Sequence, residues 1–171
     1  MTLLLAVGCS RLTTLHIEES AQTTVEEGTL LEDLLGDFGF ESFVTMDLTQ
    51  SEEMKNQGAE PGDVRNVELV LFELEALDPD GADLSFIESM DILVQAPGLE
   101  ERLLASADDF PEGQALVAFT LGEVDLTPYV VSQSMTITTD VTAHRPDQDT
   151  LVEARFQVDV GVTGQGIRNN L

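Results

Sequence analysis

Basic residues are scarce in this chain: 7 Lys and Arg stand against 33 Asp and Glu, a formal net charge of −26 over 171 residues. Phosphate backbones and anionic bilayers are held by clustered Lys and Arg, so nucleic acid and unaided adsorption to anionic lipid are both excluded as expectations. Cysteine is nearly absent. A single one, Cys9, permits no intrachain disulfide framework and no multi-cysteine zinc site. Tryptophan is missing altogether and aromatics make up 5% of the chain, which implies a core of Val, Leu and Phe and removes the usual anchors of a binding hot spot. No run approaches the ~20 apolar residues that a transmembrane helix requires.

What is present is enough for a core. The chain is 42% apolar and one domain in length, and at that size a fold buries roughly two-thirds of the surface its unfolded chain exposes. The first residues carry the most specific signal. Leu3, Leu4, Leu5, Ala6 and Val7 form an apolar run closed by the small residue Gly8, directly before Cys9. A hydrophobic stretch that ends on a small residue is how a secretory signal ends. The string Ala6-Val7-Gly8-Cys9 resembles the lipobox of bacterial lipoproteins, in which the peptide is cut before a cysteine whose thiol receives a diacylglyceryl group. The run is short and no basic n-region precedes it, so the expectation is that residues 1–8 are the remnant of a signal whose start lies upstream of Met1. Ser10 at the next position agrees, within that resemblance, with sorting to the outer membrane.

From Leu12 to Met54 there are eleven acids and no Lys or Arg, the pattern of a solvated face or a tether. Residues 9–38 are accordingly expected to be an acidic N-terminal segment. It would hold a weak strand near Thr13–Ile17 and a short helix opened by the capping box Thr29-Leu-Leu-Glu32 and stopped at Gly36. The period then becomes 2. Phe40, Val44, Met46 and Leu48 alternate with polar neighbours, and Val64 to Leu77 is apolar on both faces around Leu69–Phe72, as a central strand would be. Met90–Ala96, Leu103–Ala107 beyond a Pro97-Gly98 turn, Ala115–Leu121, Met135–Val141 and Val152–Val162 complete the set. Single helical turns are expected at Asp83–Glu88 and Asp125–Val130. Seven or eight short strands without long crossover helices predict an all-β fold for residues 39–171. The expected form is an antiparallel, immunoglobulin-like or jelly-roll-like β-sandwich. Its expected core includes Val70, Phe72, Ile92, Phe119, Ile137, Phe156 and Val158, and turn residues 144–149 join its last two strands as a hairpin.

From about Phe43 onward the chain resembles a set of uncharacterised bacterial lipoproteins with one β-sandwich domain. The likeness is carried by Met54-Lys-Asn-Gln-Gly58, Val64-Arg-Asn-Val67, Gly81-Ala-Asp-Leu-Ser-Phe-Ile-Glu-Ser-Met90, Asp108-Asp-Phe-Pro-Glu-Gly113 and Asp125-Leu-Thr-Pro-Tyr129. These are structural motifs. They imply a fold and a location and bring no catalytic residue with them.

Two acidic turns are candidate cation sites. Asp78-Pro-Asp-Gly-Ala-Asp83 sets three carboxylates (Asp78, Asp80 and Asp83) around a glycine, and short Asp-rich loops supply the oxygens that Ca²⁺ needs. Its spacing is not that of an EF-hand, since position twelve is Ser89, and Asp, Pro and Gly are also the residues of an ordinary β-turn. The second candidate is His144 with Asp147 and Asp149, an imidazole and two carboxylates that could take a transition metal, opposed by the charge of Arg145 and the stiffness of Pro146. The other histidine, His16, lies in a polar stretch, so no histidine is set beside a nucleophile, and chance pairs among 33 acids say little about glycosidase-type catalysis. The expected function is therefore a non-catalytic binding or structural module, not an enzyme. It would be anchored to the bacterial outer membrane through lipid on Cys9, and its acidity would suit a basic protein partner or divalent cations. The alternatives are a calcium-dependent adhesion or carbohydrate-binding module, and an envelope hydrolase working with paired carboxylates.

Overall fold

The computed structural model describes residues 12–28, 61–132 and 135–163. Cys9, the capping box at Thr29 and the strand expected at Phe40–Leu48 lie outside the described residues. Among the described residues there are eight strands: β1 (Leu12–Val25), β2 (Val64–Asp78), β3 (Ile87–Gln95), β4 (Arg102–Ala107), β5 (Leu116–Ala118), β6 (Thr120–Leu121), β7 (Thr136–Ala143) and β8 (Thr150–Thr163). A 3-10 turn at Pro61–Asp63 leads into β2, and one helical turn, α1 (Thr127–Val130), lies between β6 and β7. They form two four-stranded sheets, β1-β8-β2-β5 and β6-β4-β3-β7, with antiparallel pairing throughout. The fold is an all-β sandwich of two antiparallel sheets.

Its centre is β8, whose Val152, Ala154, Phe156, Val158, Val160 and Val162 all point into the core while the intervening residues face outward. Strict alternation puts one stripe of a strand in the interior, and β-branched residues fill that pleated surface well. β1 pairs with β8 over its full length, Leu12 opposite Thr163 to Val25 opposite Thr150. The sandwich is therefore not confined to residues 39–171: the weak strand at Thr13–Ile17 is the start of a fourteen-residue edge strand of the same domain. Its pattern is blurred because Glu19, opposite Phe156 on the core-facing side, is exposed, and Ala21 and Thr23 there are only half-buried. A charge placed so in an edge strand discourages pairing with another chain.

Irregularities correct several finer expectations. Bulges in β2 at Asn66, which has a positive φ of 49°, and at Val70 shift its register against β8, so Val70 turns outward at 40% exposure and leaves the expected core. Phe72, Ile92, Phe119, Phe156 and Val158 are buried there, with Ile137 packed against them. In β4 the register slips between Ala105 and Leu103, which buries Leu104 and exposes Leu103. The strand expected at Ala115–Leu121 splits at Phe119: β5 pairs with β2, β6 pairs with β4, and the chain passes from one sheet to the other. Phe119 donates its N–H to the Phe72 carbonyl at 2.9 Å, and Gly122 donates to Leu104 at 2.7 Å. Residues 144–149 also cross between sheets, since β7 pairs with β3 and β8 with β1 and β2. The expected closing hairpin is not formed. Asp83–Glu88 is a turn closed by Ile87 N–H to Leu84, whereas Thr127–Val130 is the expected helical turn.

Candidate functional site

Following the strand directions places the loops at two ends. Residues 26–28, 79–86, 108–115 and 144–149 gather at the end where β1 stops and β8 starts, and residues 61–63, 96–101 and 122–132 gather at the other. Three connections of the first group, 79–86, 108–115 and 144–149, pass from one sheet to the other, so sequence-distant segments meet there. Between them lies an open cleft of about 390 Å³. Its polar lining comes from Asp83, Ser85, Glu112, His144, Asp147, Gln148 and Thr150, and its apolar lining from Phe86 and Pro146.

Local chemistry fixes each wall. Pro79 and Gly81 set a turn closed by Ala82 N–H to the Pro79 carbonyl at 2.8 Å, with Gly81 at φ +81°, a conformation that glycine adopts without steric cost. Asp83 then accepts the N–H of Ser85 on Oδ1 at 3.0 Å and the N–H of Gly113 on Oδ2 at 2.6 Å. The Gly113 N–H first, and then the hydroxyl and N–H of Ser85, hold this carboxyl below its ordinary value of 3.8. The third wall is pinned by His144 N–H to the Phe86 carbonyl at 2.8 Å and by Gly28 N–H to the Pro146 carbonyl at 3.0 Å. Asp149 accepts the N–H of Glu27 at 2.7 Å.

The two candidate groups of the sequence are thus partly merged. Asp83 from the first joins His144 and Asp147 from the second around one cleft. Asp78 ends β2, Asp80 is exposed in the turn, and Asp149 is spent on the Glu27 N–H. Asp78, Asp80 and Asp83 are not gathered into a calcium cage: among the described residues no group of three or more His, Cys, Asp or Glu side chains is arranged to hold a metal ion. Of the three, Asp83 is taken up by the N–H groups of Ser85 and Gly113. His16 lies on the outer face of the β1-β8 pair, directly opposite Asp159, with Nδ1 2.6 Å from its carboxylate. Glu112, Ser85 and Gln148 were not candidates by residue type, and the topology brings them to the cleft.

The arrangement can bind a polar ligand through carboxylate, hydroxyl, amide and imidazole groups set against two apolar surfaces. A carboxyl that is held ionised, as Asp83 is, makes a poor general acid. Among the described residues no helix is long and apolar enough to cross a membrane. Comparison with protein families, with characterised proteins and with solved structures finds no match to this chain.

Proposed function

We propose that the chain is a lipid-anchored bacterial cell-envelope protein, acting as a non-catalytic binding or structural module whose ligand surface is the cleft at the 79–86, 108–115 and 144–149 end. The observation that carries the binding part is the convergence of three sheet-to-sheet crossovers on one polar cleft of about 390 Å³. Sandwich sheets supply a rigid frame, and loops at their ends are where such frames place recognition. The anchor rests on Leu3–Cys9, a signal-like ending before the chain's single thiol. Two or more acyl chains hold a protein stably at about 0.8 kcal/mol per buried methylene, so no membrane-spanning segment is needed. Ser10, directly after Cys9, supports placement at the outer membrane within the lipobox resemblance. The calcium-module alternative draws no support from Asp78, Asp80 and Asp83, which are not assembled.

The test is acylation in cells. Expressed from its native gene context, the parent should incorporate labelled palmitate and partition into detergent, and Cys9→Ala should do neither. Equal behaviour of the two would overturn the anchor reading.

A further inference from the structure

Each of the three crossover loops gives the cleft one carboxylate: Asp83 from 79–86, Glu112 from 108–115 and Asp147 from 144–149. Among the described residues no Lys or Arg lines it. Asp83 is half-buried and held as the anion by its hydrogen bonds, whereas Glu112 and Asp147 are exposed and have no protein partner among the described residues. The buried part of the lining is Phe86, Pro146 and Thr150. Hydrogen-bonding capacity is one-sided as well. Both hydroxyl groups spend their donors inside the protein, Ser85 on the Asp83 carboxylate and Thr150 on the Gln148 carbonyl at 3.3 Å. Each keeps acceptor lone pairs, and an ionised carboxylate only accepts. At 2% exposure Thr150 has little contact with water, so a ligand N–H is the donor that suits its oxygen.

We infer that the cleft takes an organic cation, one or more ammonium or guanidinium groups on an aliphatic stem, whose N–H groups are accepted by the carboxylates of Asp83, Glu112 and Asp147. The inference rests on the reading of the cleft as the ligand surface and is independent of the anchor. A phosphate, a carboxylate or another anion would meet acceptors of its own sign. A bare metal ion is also a poor occupant. Calcium draws about six to eight oxygens to one point at about 2.3–2.6 Å, and no three acidic or histidine side chains among the described residues are so gathered. An organic cation makes no such demand, because its donors are spread along the molecule. Its methylenes can lie on Phe86 and Pro146 while the charged heads stay at the wet rim, as long basic side chains do on apolar surface. The same chemistry comes from a free polyamine or from a Lys or Arg side chain of a protein reaching into the cleft.

The test is a titration of the full chain followed by amide-resolved NMR in about 150 mM sodium chloride. The probes are spermidine, the blocked peptides Gly-Arg-Gly and Gly-Lys-Gly, calcium chloride and maltotriose. Saturable shifts at the amides of Ser85, Gly113 and Gln148 with spermidine or a basic peptide are expected, and the tighter arm names the source. Glu112→Gln combined with Asp147→Asn should weaken that binding about 5–20-fold, since an exposed charge pair is worth up to about fivefold. Glu101→Gln combined with Glu123→Gln removes the same charge from exposed positions at the opposite end and should change it less than about twofold. Shifts spread over both ends, or equal losses in the two double variants, would mean diffuse attraction to a charge of −26 and overturn the inference. Calcium moving the same amides as tightly would overturn it too. Maltotriose moving them where the cations do not would remove the cation and keep the cleft as the ligand surface. Silence of those amides toward every probe would remove the binding reading as well.

Discussion

Phe119 is the residue on which the two sheets turn, and its truncation is the sharpest test of the fold. It sits between β5 and β6 at 7% exposure, where the chain leaves one sheet for the other. Its ring meets Phe72 edge-on at 4.9 Å and Phe110 at 6.1 Å. Removing a buried phenyl group costs about 3–5 kcal/mol when the cavity cannot collapse. Here one wall is the β2 backbone, held by the Phe119 N–H to Phe72 carbonyl bond, so little collapse is available. Phe119→Ala should therefore lose about 3–5 kcal/mol, a large share of a domain stability of about 5–15 kcal/mol. Phe119→Leu keeps most of the volume and should lose about 1.5 kcal/mol or less, which leaves a variant to measure if the alanine form does not fold. A double-mutant cycle of Phe119→Leu with Phe72→Leu should show coupling of about 0.5–1.5 kcal/mol from the edge-on pair. The assay is urea unfolding followed by far-ultraviolet circular dichroism, since the chain has no tryptophan. A loss below about 1 kcal/mol for the alanine variant, or a cycle that is additive, would refute this account of the strand switch.

At Gly122 an added Cβ would lie 2.2 Å from the Leu103 carbonyl oxygen, so Gly122→Ala should cost about 1–3 kcal/mol. Gly62→Ala, with nothing within 4 Å, should stay within about 0.5 kcal/mol, and equal effects in urea would refute the close approach. Asp83 is held below its ordinary value by the Gly113 and Ser85 groups that bond its anion, so its contribution is present above pH 3.8 and fades as pH falls through the lower folded value. Asp83→Ala should cost about 1 kcal/mol at pH 7, and the gap to the parent should close in acid; a gap constant with pH would defeat the assignment. Calcium should raise the melting temperature no more than sodium chloride of matched ionic strength, and Asp80→Asn should leave that response unchanged. Saturable stabilisation in high salt, lost in Asp80→Asn, would restore a specific calcium site.

The strands that were plain in the sequence are those whose alternation nothing interrupts. β8 shows every second residue apolar from Val152 to Val162, and β3 does so from Met90 to Val94, past an irregularity between Ile87 and Ser89; the structure buries both stripes. What the sequence hid depends on partners far along the chain. Val70 belongs to an apolar run and gives no sign that a bulge beside it will turn it outward. Phe119 continues the alternation from Ala115 to Leu121 without a break, so the passage between sheets is invisible until β2 and β4 are in place on either side. Residues 144–149 have genuine turn chemistry, but turn chemistry says that the chain reverses and not which sheet it joins next. The cleft was half legible for the same reason. His144, Asp147 and Asp83 stood out by type, whereas their meeting is a consequence of topology.

A chain with 33 acids and 7 bases cannot neutralise itself by pairing, and the structure shows the two devices that it uses instead. The first is to concentrate cation where register forces acids together. On the outer face of the first sheet, β2 and β8 bring Glu73, Glu75 and Glu153 around Arg155, whose guanidinium lies 2.8 Å from Glu73, 2.7 Å from Glu75 and 3.7 Å from Glu153. Directly opposed like charges destabilise a sheet, so one arginine relieves repulsion on two strands at once. With Arg155 and Glu75 each about a third exposed and the arginine Nε left without a hydrogen-bond partner, the cluster's worth is relief of that repulsion more than strong pairing. The second device is to spend carboxylates on backbone N–H groups that loops leave unpaired: Asp83 on Gly113 and Ser85, Asp125 on Thr127, and Asp149 on Glu27. An anionic acceptor forms a stronger bond there than a neutral one. Three of these four bonds lie in the loops around the cleft, so the carboxylates that give the domain its charge also fix the shape of that end.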